Sequence, residues 1–204
     1  MKRGITEIGN LVSRAIAAVL LIIVTPLLAL LALCTWVSLG PPVVFRQARS
    51  GLGGKVFTML KFRSMRDTLG EDGALLPDEE RVTAFGRFLR RSRLDELPGL
   101  LNVVSGDLAF VGPRPLLPET IAHLCIGGDL RVKLRPGMTG CSQVNVNTRL
   151  SLDRKIELDL WYVENETWLL RFQILFRTFS VMVFGERESE FPRGESNPCD
   201  RTSN

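Results

Sequence analysis

The sequence has 204 residues, a formal net charge of +4 and an isoelectric point near 9.1. This length is enough for one domain with a core, and the positive charge suits an anionic membrane surface or phosphorylated substrates. No zinc finger, helix-turn-helix or RNP pattern is present, which argues against a nucleic-acid partner. His123 is the only histidine, so a histidine triad or a multi-histidine metal site is excluded. The four cysteines have no CxxC spacing, and we predict free thiols.

An uncharged apolar segment runs from Ala15 to Leu39 and has Thr25 and Pro26 near its middle. At about 1.5 Å per residue, a helix of this length crosses a bilayer core of about 30 Å. Pro26 removes one helical hydrogen bond, and Thr25 can satisfy a freed carbonyl. Both flanks of the segment are basic, so a hairpin that enters and leaves by one face and a kinked single span are equally supported by the sequence physics.

A β-hairpin is predicted where Val43–Phe45 and Val56–Leu60 flank a glycine-rich turn. After the hairpin, Lys61 and Arg63 are either solvated charges beside a core Phe62 or cations that face a phosphate. Pro77 and the acids after it predict a helix that carries Val82, Phe85, Phe88 and Leu89 on one side. Four arginines crowd the end of this helix, more than capping requires, and favour an anion site: Arg87, Arg90, Arg91 and Arg93.

The stretch from residue 93 to residue 119 combines two adjacent carboxylates with an arginine between two prolines. Asp95 is predicted to cap the next helix, or else to react. Glu96 points about 100° further round that helix, so the two carboxylates are expected to divide their roles. The prolines beside Arg114 hold its guanidinium in a rigid loop. Carboxylates for a metal or a nucleophile beside a fixed guanidinium indicate phosphoryl chemistry.

Further along, residues 116–132 predict a weak short helix, residues 142–145 a polar strand and residues 155–162 a helix. The segment Trp168–Phe184 predicts a helix that is either core or lies in the membrane interface, because aromatic residues and two arginines share it. We predict disorder from residue 186 onwards, where the composition is polar and rich in Pro, Gly, Ser and Asn.

Several of these stretches, in this order and with similar spacing, resemble the bacterial sugar transferase family, in particular its small monotopic phosphoglycosyl transferases. The matching motifs are Phe45-Arg46-Gln47, Lys61-Phe62-Arg63-Ser64-Met65, Leu94-Asp95-Glu96-Leu97-Pro98, Gly106-Asp107, Val111-Gly112-Pro113-Arg114-Pro115 and Arg135-Pro136-Gly137-Met138-Thr139-Gly140. Departures from the family pattern lie on both sides of the dyad, at Arg93 and Gly99, and after Gln143-Val144, at Asn145-Val146-Asn147-Thr148-Arg149.

The resemblance implies a transfer of phospho-sugar from a UDP-sugar to polyprenyl (undecaprenyl) phosphate at the start of exopolysaccharide or glycoconjugate assembly. Asp95 would be the nucleophile that forms a covalent phospho-sugar aspartate, with UMP leaving. Glu96 would help to deprotonate the lipid phosphate, and Asp95 and Glu96 would hold Mg²⁺. Lys61, Arg90 and Arg114 would bind substrate phosphates. The family's hairpin breaks at a Ser-Pro pair, and Thr25-Pro26 takes that place here, which favours the re-entrant form.

We therefore expect an α+β fold with a re-entrant membrane helix hairpin, a small β-hairpin and several short helices, some of them amphipathic interface helices. The expected units are a membrane-inserted segment (residues 1–40), a catalytic domain on the cytoplasmic face of the bacterial inner membrane (residues 41–185) and a disordered tail (residues 186–204). Membrane lipids are expected partners, and a second copy of the chain is a further candidate. Two alternatives stay open: a catalytically inactive membrane-anchored interaction protein, and a metal-dependent glycosyltransferase that releases UDP.

Overall fold

The computed structural model describes residues 2–124, 128–145 and 150–184. Within them the fold combines helices with two small sheets, as expected of an α+β protein. The elements in chain order are α1 (Lys2–Leu39), β1 (Val44–Ser50), β2 (Val56–Phe62), α2 (Asp78–Arg81), α3 (Ala84–Ser92), a 3-10 helix (Leu94–Gly99), α4 (Leu100–Ser105), β3 (Ala109–Val111), α5 (Pro118–His123), α6 (Gly128–Arg131), β4 (Gly137–Thr139), α7 (Cys141–Val144), α8 (Leu152–Asn165) and α9 (Trp168–Phe184).

The N-terminal segment is assigned as one helix, with Thr25-Pro26 inside it, and the predicted re-entrant hairpin stays a prediction. Pro26 lies inside α1 and leaves the carbonyl of Ile22 without its helical donor. The Thr25 hydroxyl donates instead to the Leu21 carbonyl at 2.7 Å, one residue before the one we expected it to satisfy. Residues 9–39 are long and apolar enough to cross a membrane. On which side of a membrane each end lies stays a prediction.

One stripe of α1 packs against the globular part of the chain along most of its length. Near the N-terminal end, the ring of Trp168 lies against Gly9. Ala17 is fully buried in a cluster with residues of β2 and α4, and Leu31 is buried against Phe62 and Leu89. The remaining faces of α1 expose large apolar side chains, so only a narrow stripe of this helix joins the protein core.

The predicted β-hairpin is confirmed. Strands β1 and β2 pair antiparallel in the register Val44↔Phe62 to Ser50↔Val56, and a glycine-containing 3-10 turn (Leu52–Gly54) joins them. Phe57 and Met59, two residues apart on β2, are buried in one core cluster, and Phe62 at the end of the strand is buried in another with Leu31 and Leu89. Phe62 is thus the core aromatic of the Lys-Phe-Arg motif.

The helix predicted after Pro77 divides into α2 and α3. Thr83 interrupts it because its hydroxyl caps α3 by accepting a hydrogen bond from the Gly86 amide at 3.0 Å. Gly86 has no space for a Cβ against the Ser64 carbonyl, and its lack of a side chain lets α3 lie directly on the segment that follows β2. Leu89 then reaches the core.

Two short elements near the C-terminal half differ from prediction. Residues 142–145, expected as a strand, contribute instead to α7, which is buried. The turn cluster before it contains β4, which pairs in parallel with β3 in the register Ala109↔Gly137 and Val111↔Thr139. This parallel pair was not predicted. It places the end of β3, and the Gly-Pro-Arg-Pro loop after it, beside α7.

Helices α8 and α9 confirm the two predicted C-terminal helices. Tyr162 of α8 and Ile174 of α9 are fully buried in one cluster with Cys141 and Val144 of α7. Cys34 and Cys141 have free thiols, as predicted, whereas Cys125 and Cys199 lie outside the described residues. The predicted disordered tail also lies outside them.

Candidate active site

Four separate elements bring the predicted site residues to one cleft of about 1470 Å³. The end of β2 supplies Lys61, α3 supplies Arg90, the 3-10 helix supplies Asp95 and Glu96, and the loop after β3 supplies Arg114. These residues are up to 53 positions apart, from 61 to 114, and only the packing of β2, α3 and α4 brings them together. Thr25 and Pro26 do not line this cleft.

The turn that carries the dyad is set by Arg93, which has a left-handed backbone with φ of 56°. That conformation ends α3, where glycine is the usual residue, and starts the 3-10 helix. The Arg93 guanidinium donates to the Gln143 carbonyl at 2.9 Å, so α7 holds the turn in place. A strained residue two positions before a pair of carboxylates is typical of a functional site.

The prediction that Asp95 caps a helix is wrong. Arg93 occupies the N-cap position of the 3-10 helix and Gly99 that of α4, and neither helix has a capping bond from a side chain. The capping role would have made Asp95 a structural residue. Its carboxylate instead lines the cleft.

Glu96 forms an ion pair with Lys61, with 2.8 Å between Oε1 and Nζ. Both side chains are about one-fifth exposed, at 19% and 20%. Burial raises the pKa of Glu96, but the charge and hydrogen bond of Lys61, with the charges of Arg114 and Arg93, outweigh burial and hold this pKa below its ordinary value. Glu96 is therefore a stable anion whose partner is already in place.

Asp95 has the opposite environment. Among the described residues it forms no ion pair, and burial together with the neighbouring Glu96 charge raises its pKa to about 6. Lys61 and Arg90 oppose that increase. At neutral pH the Asp95 carboxylate is ionised yet more basic than an ordinary aspartate, and this basicity suits a nucleophile.

Cations dominate the cleft. In the described part of the chain its charged lining comprises the acids Asp67, Asp95 and Glu96 and the cations Arg46, Lys61, Arg63, Arg81, Arg90, Arg91, Arg93 and Arg114. Arg90 is fixed by a bond of 2.9 Å from its Nε to the Ser64 hydroxyl. An anionic ligand of more than one charge is the species that such a lining attracts.

Two residues at the site had roles that the sequence did not reveal. Arg63, whose charge we assigned to solvent or to a phosphate, is buried and donates to three successive carbonyls at the end of α1, those of Leu39, Gly40 and Pro41. It therefore pins the end of α1 to the cleft. Its position in the Lys-Phe-Arg motif marked Arg63 as a candidate site residue. The sequence alone does not distinguish an arginine that binds backbone carbonyls from one that binds phosphate.

Asn102 of α4 is the second. Its side-chain oxygen accepts from the Leu60 amide at 3.0 Å and its amide nitrogen donates to the Thr58 carbonyl at 2.8 Å, so it pairs with the free edge of β2 as a strand would. This places β2, and hence Lys61, against the dyad. A lone asparagine in an apolar helix was the only sequence signal.

Comparison with known proteins decides the family. The bacterial sugar transferase family matches the chain over residues 6–185. This chain belongs to the bacterial sugar transferase family. Within the family, it is 42% identical over 171 residues to the uncharacterised sugar transferase EpsL of Bacillus subtilis, an alignment that covers 83% of this chain and 85% of EpsL.

Two longer family members have names that state a reaction. The undecaprenyl-phosphate galactose phosphotransferase of Salmonella typhimurium is 35% identical over 184 residues, which cover 80% of this chain and 38% of that enzyme. The UDP-glucose:undecaprenyl-phosphate glucose-1-phosphate transferase of Escherichia coli is 35% identical over 192 residues, covering 85% of this chain and 40% of that enzyme. The chain thus spans about two-fifths of the length of these two relatives.

The structure brings the predicted site residues of this family member together. The cleft of this sugar transferase contains every residue predicted for catalysis and phosphate binding: Lys61, Arg90, Asp95, Glu96 and Arg114. Their individual roles stay predictions. Thr25 and Pro26, predicted to form the hairpin break, lie elsewhere, within α1.

Proposed function

We propose that this chain is a phosphoglycosyl transferase that moves a phospho-sugar from a UDP-sugar to a polyprenyl phosphate. The observation that carries the proposal is the partly buried carboxylate of Asp95, without an ion-pair partner among the described residues, at the wall of a cation-lined cleft. The names of the Salmonella and Escherichia coli relatives support the two substrates, since both state undecaprenyl phosphate as the acceptor and one states UDP-glucose as the donor.

The reaction has two displacements at the same phosphorus. The Asp95 carboxylate attacks the β-phosphorus of the donor, the bond to the bridging oxygen breaks, and UMP leaves. An oxygen of the polyprenyl phosphate then attacks the phospho-sugar aspartate, which yields polyprenyl diphosphate sugar and returns the Asp95 carboxylate. A covalent intermediate divides one difficult transfer into two, and the raised pKa of Asp95 makes it a stronger nucleophile than an exposed aspartate.

The cations stabilise charge while the phosphoryl group transfers. Arg90 and Arg114 line the cleft on α3 and on the loop after β3, and guanidinium groups match the geometry of phosphate oxygens. Lys61 neutralises Glu96, and we assign Glu96 to this pair and to the metal. Its lowered pKa makes it a weak base, which argues against the part in deprotonating the lipid phosphate that the resemblance implied.

The donor set fits Mg²⁺ when the substrate completes the coordination. In residues 2–124, 128–145 and 150–184 no three His, Cys, Asp or Glu side chains form a metal cage. Mg²⁺ is commonly held by one or two carboxylates together with substrate phosphates and water. Asp95 and Glu96 would be the two carboxylates, and the bound ion would neutralise charge on the diphosphate.

We propose that α1 inserts into the cytoplasmic leaflet from one side of the membrane. A straight span from Gly9 to Leu39 would separate its ends by about 45 Å. Yet both ends contact the same globular part, Gly9 through Trp168 and Leu39 through Arg63. Arg14 also donates to the Val104 carbonyl at 2.9 Å. The basic flanks on both sides support the cytoplasmic face.

The test of the reaction is nucleotide release from a panel of UDP-sugars with Mg²⁺ and undecaprenyl phosphate. We expect UMP from one sugar for the wild type and none for Asp95→Asn. Asp153→Asn is the matched control, because Asp153 is an exposed carboxylate in the first turn of α8, away from the cleft. With donor alone, the intact wild-type protein should gain the mass of one phospho-sugar. Release of UDP would indicate a glycosyltransferase, and no nucleotide from any sugar would favour the interaction protein.

A further inference from the structure

A buried ion pair lies just outside the cleft and has no place in the reaction above. Arg131 at the end of α6 and Asp159 of α8 approach to 2.6 Å, and their side chains are only 3% and 1% exposed. Desolvation makes such pairs expensive, and apolar replacements of both partners often leave stability unchanged or increased. Stability alone therefore does not explain why an ion pair is buried here. The other hydrogen bonds of Arg131 and Asp159 provide an explanation.

The pair holds both peptide groups of Arg114. The Arg114 amide donates to Asp159 Oδ2 at 3.1 Å, and the same oxygen accepts from Arg131. Arg131 also donates to the Arg114 carbonyl at 2.7 Å. The two buried side chains and the Arg114 backbone thus form a closed set of three hydrogen bonds.

Neighbouring residues fix the loop on either side of Arg114. The Pro113 carbonyl accepts from the Gly137 amide at 3.0 Å, next to the parallel β3–β4 pair. The Pro115 carbonyl accepts from the Arg49 guanidinium at 3.3 Å. Since the prolines also fix their own φ angles, the backbone is held at three successive residues and only the Arg114 side chain keeps its freedom.

We propose that Arg131 and Asp159 are positioning residues, which hold the Arg114 backbone so that its guanidinium meets the diphosphate of the donor. The proposal rests on the proposed function, in which Arg114 binds phosphate. Within its loop, Arg114 is the residue whose backbone is held by Arg131 and Asp159 and which also contributes to the charged lining of the cleft. The buried pair therefore acts on the site through Arg114, without touching the substrate.

The test is a double-mutant cycle read out by binding of UDP with Mg²⁺ to the purified full chain. We expect Arg114→Met to weaken UDP binding about 30-fold, the loss of a charge-assisted phosphate contact. Asp159→Asn should weaken it about 10-fold in the wild type, because a small displacement of a positioning group is costly. In the Arg114→Met background, Asp159→Asn should change binding by less than about 2-fold.

Two further variants separate positioning from folding. Arg131→Lys keeps the charge beside Asp159 but loses the fork that also reaches the Arg114 carbonyl, so it should weaken UDP binding about 5-fold with little change in melting temperature. If Asp159→Asn does not fold, Arg131→Lys provides the test of the positioning role in its place. Ile156→Val, a buried residue of α8 that is 4% exposed, should lower the melting temperature and leave UDP binding unchanged.

The outcomes distinguish the two proposals. If the wild type does not bind UDP, the proposed function fails and this inference fails with it. If the wild type binds and Arg114→Met weakens binding, but Asp159→Asn and Arg131→Lys bind as the wild type does, only the positioning role is overturned. Full additivity of Asp159→Asn and Arg114→Met would likewise overturn it, since Asp159 would then act independently of Arg114.

Discussion

At the scale of single residues, the site assigns opposite environments to two adjacent carboxylates. Glu96 has Lys61 at 2.8 Å, and its pKa lies below the ordinary range although burial opposes this. Asp95 has no such partner among the described residues, and burial and Glu96 raise its pKa to about 6. Lys61 pairs with Glu96 and is therefore not available to neutralise Asp95. This pairing leaves the Asp95 carboxylate reactive. Reactivity obtained in this way reduces folding stability.

Substitution of the two acids should therefore change stability in opposite directions. A raised carboxyl pKa stabilises the fold below the unfolded pKa, and that contribution is lost as pH rises towards 6. Asp95→Asn should raise the apparent melting temperature at pH 7.5 by a few degrees, for a gain of about 1–3 kcal/mol. Glu96→Gln should lower it by a similar amount, because Lys61 loses its partner. Differential scanning fluorimetry measures both.

The pH dependence provides the control for this prediction. The gain from Asp95→Asn should shrink as pH falls from 7.5 towards 4, where the wild-type carboxyl becomes protonated in both states. Glu96 has a lowered pKa, so its contribution is present at pH 7.5 and disappears only on further acidification. Equal and pH-independent effects of the two substitutions would show that the environments are not different.

At the scale of elements, Asn102 connects three of the four segments that supply the site. Its side chain pairs with β2 at Thr58 and Leu60, next to Lys61. Its carbonyl accepts from the amides of Asp107 and Leu108 at 2.9 Å, in the turn that leads to β3 and on to Arg114. Since α4 directly follows the 3-10 helix that carries the dyad, one buried asparagine sets the relative position of lysine, carboxylates and arginine.

Asn102→Asp should break this connection with little change of volume. The new carboxylate oxygen would face the Thr58 carbonyl, where the amide now donates, and the repulsion should displace β2 from α4. We expect kcat/KM for UMP release to fall at least about 10-fold. Val103→Ala is the matched control, because Val103 is a fully buried neighbour on α4 whose side chain belongs to a hydrophobic core cluster. That variant should lose stability and keep its kcat/KM; equal losses in both variants would contradict the positioning role.

The elements also show which features a sequence can predict. The β-hairpin and helices α8 and α9 follow from periodicity and turn glycines, because these signals are local. The parallel β3–β4 pair and the helical α7 were missed, since three- and four-residue elements depend on tertiary contacts more than on propensity. The site residues were found through motifs, but the roles of Arg63, Asn102 and the Arg131–Asp159 pair depend on partners far away in the chain.

At the scale of the whole molecule, two helices present apolar surface that no described residue covers. Helix α9 buries Leu170 and Ile174 in the core, but Phe172, Phe176 and Phe179 on its other side are 65%, 77% and 67% exposed. Helix α1 exposes Ile22 and Ile23 in the same way. The two helices meet where Trp168 lies against Gly9. Contiguous apolar surface of this extent marks a contact with lipid or protein, and a bilayer surface fits both helices at once.

Insertion from one side predicts a labelling pattern that a spanning helix cannot produce. In a cysteine-free background, Asn10→Cys and Lys55→Cys mark the N-terminal end of α1 and the β-hairpin turn that follows its other end. An impermeant maleimide should label both in inverted membrane vesicles and neither in intact spheroplasts, because the proposed insertion from one side places both positions in the cytoplasm. Ile22→Cys, at 74% exposure on the apolar face, is the control and should react only after detergent is added. Labelling of Asn10→Cys from outside and of Lys55→Cys from inside would establish a spanning helix instead, and the contacts of Gly9 and Leu39 with one globular part would then have to be broken in the membrane.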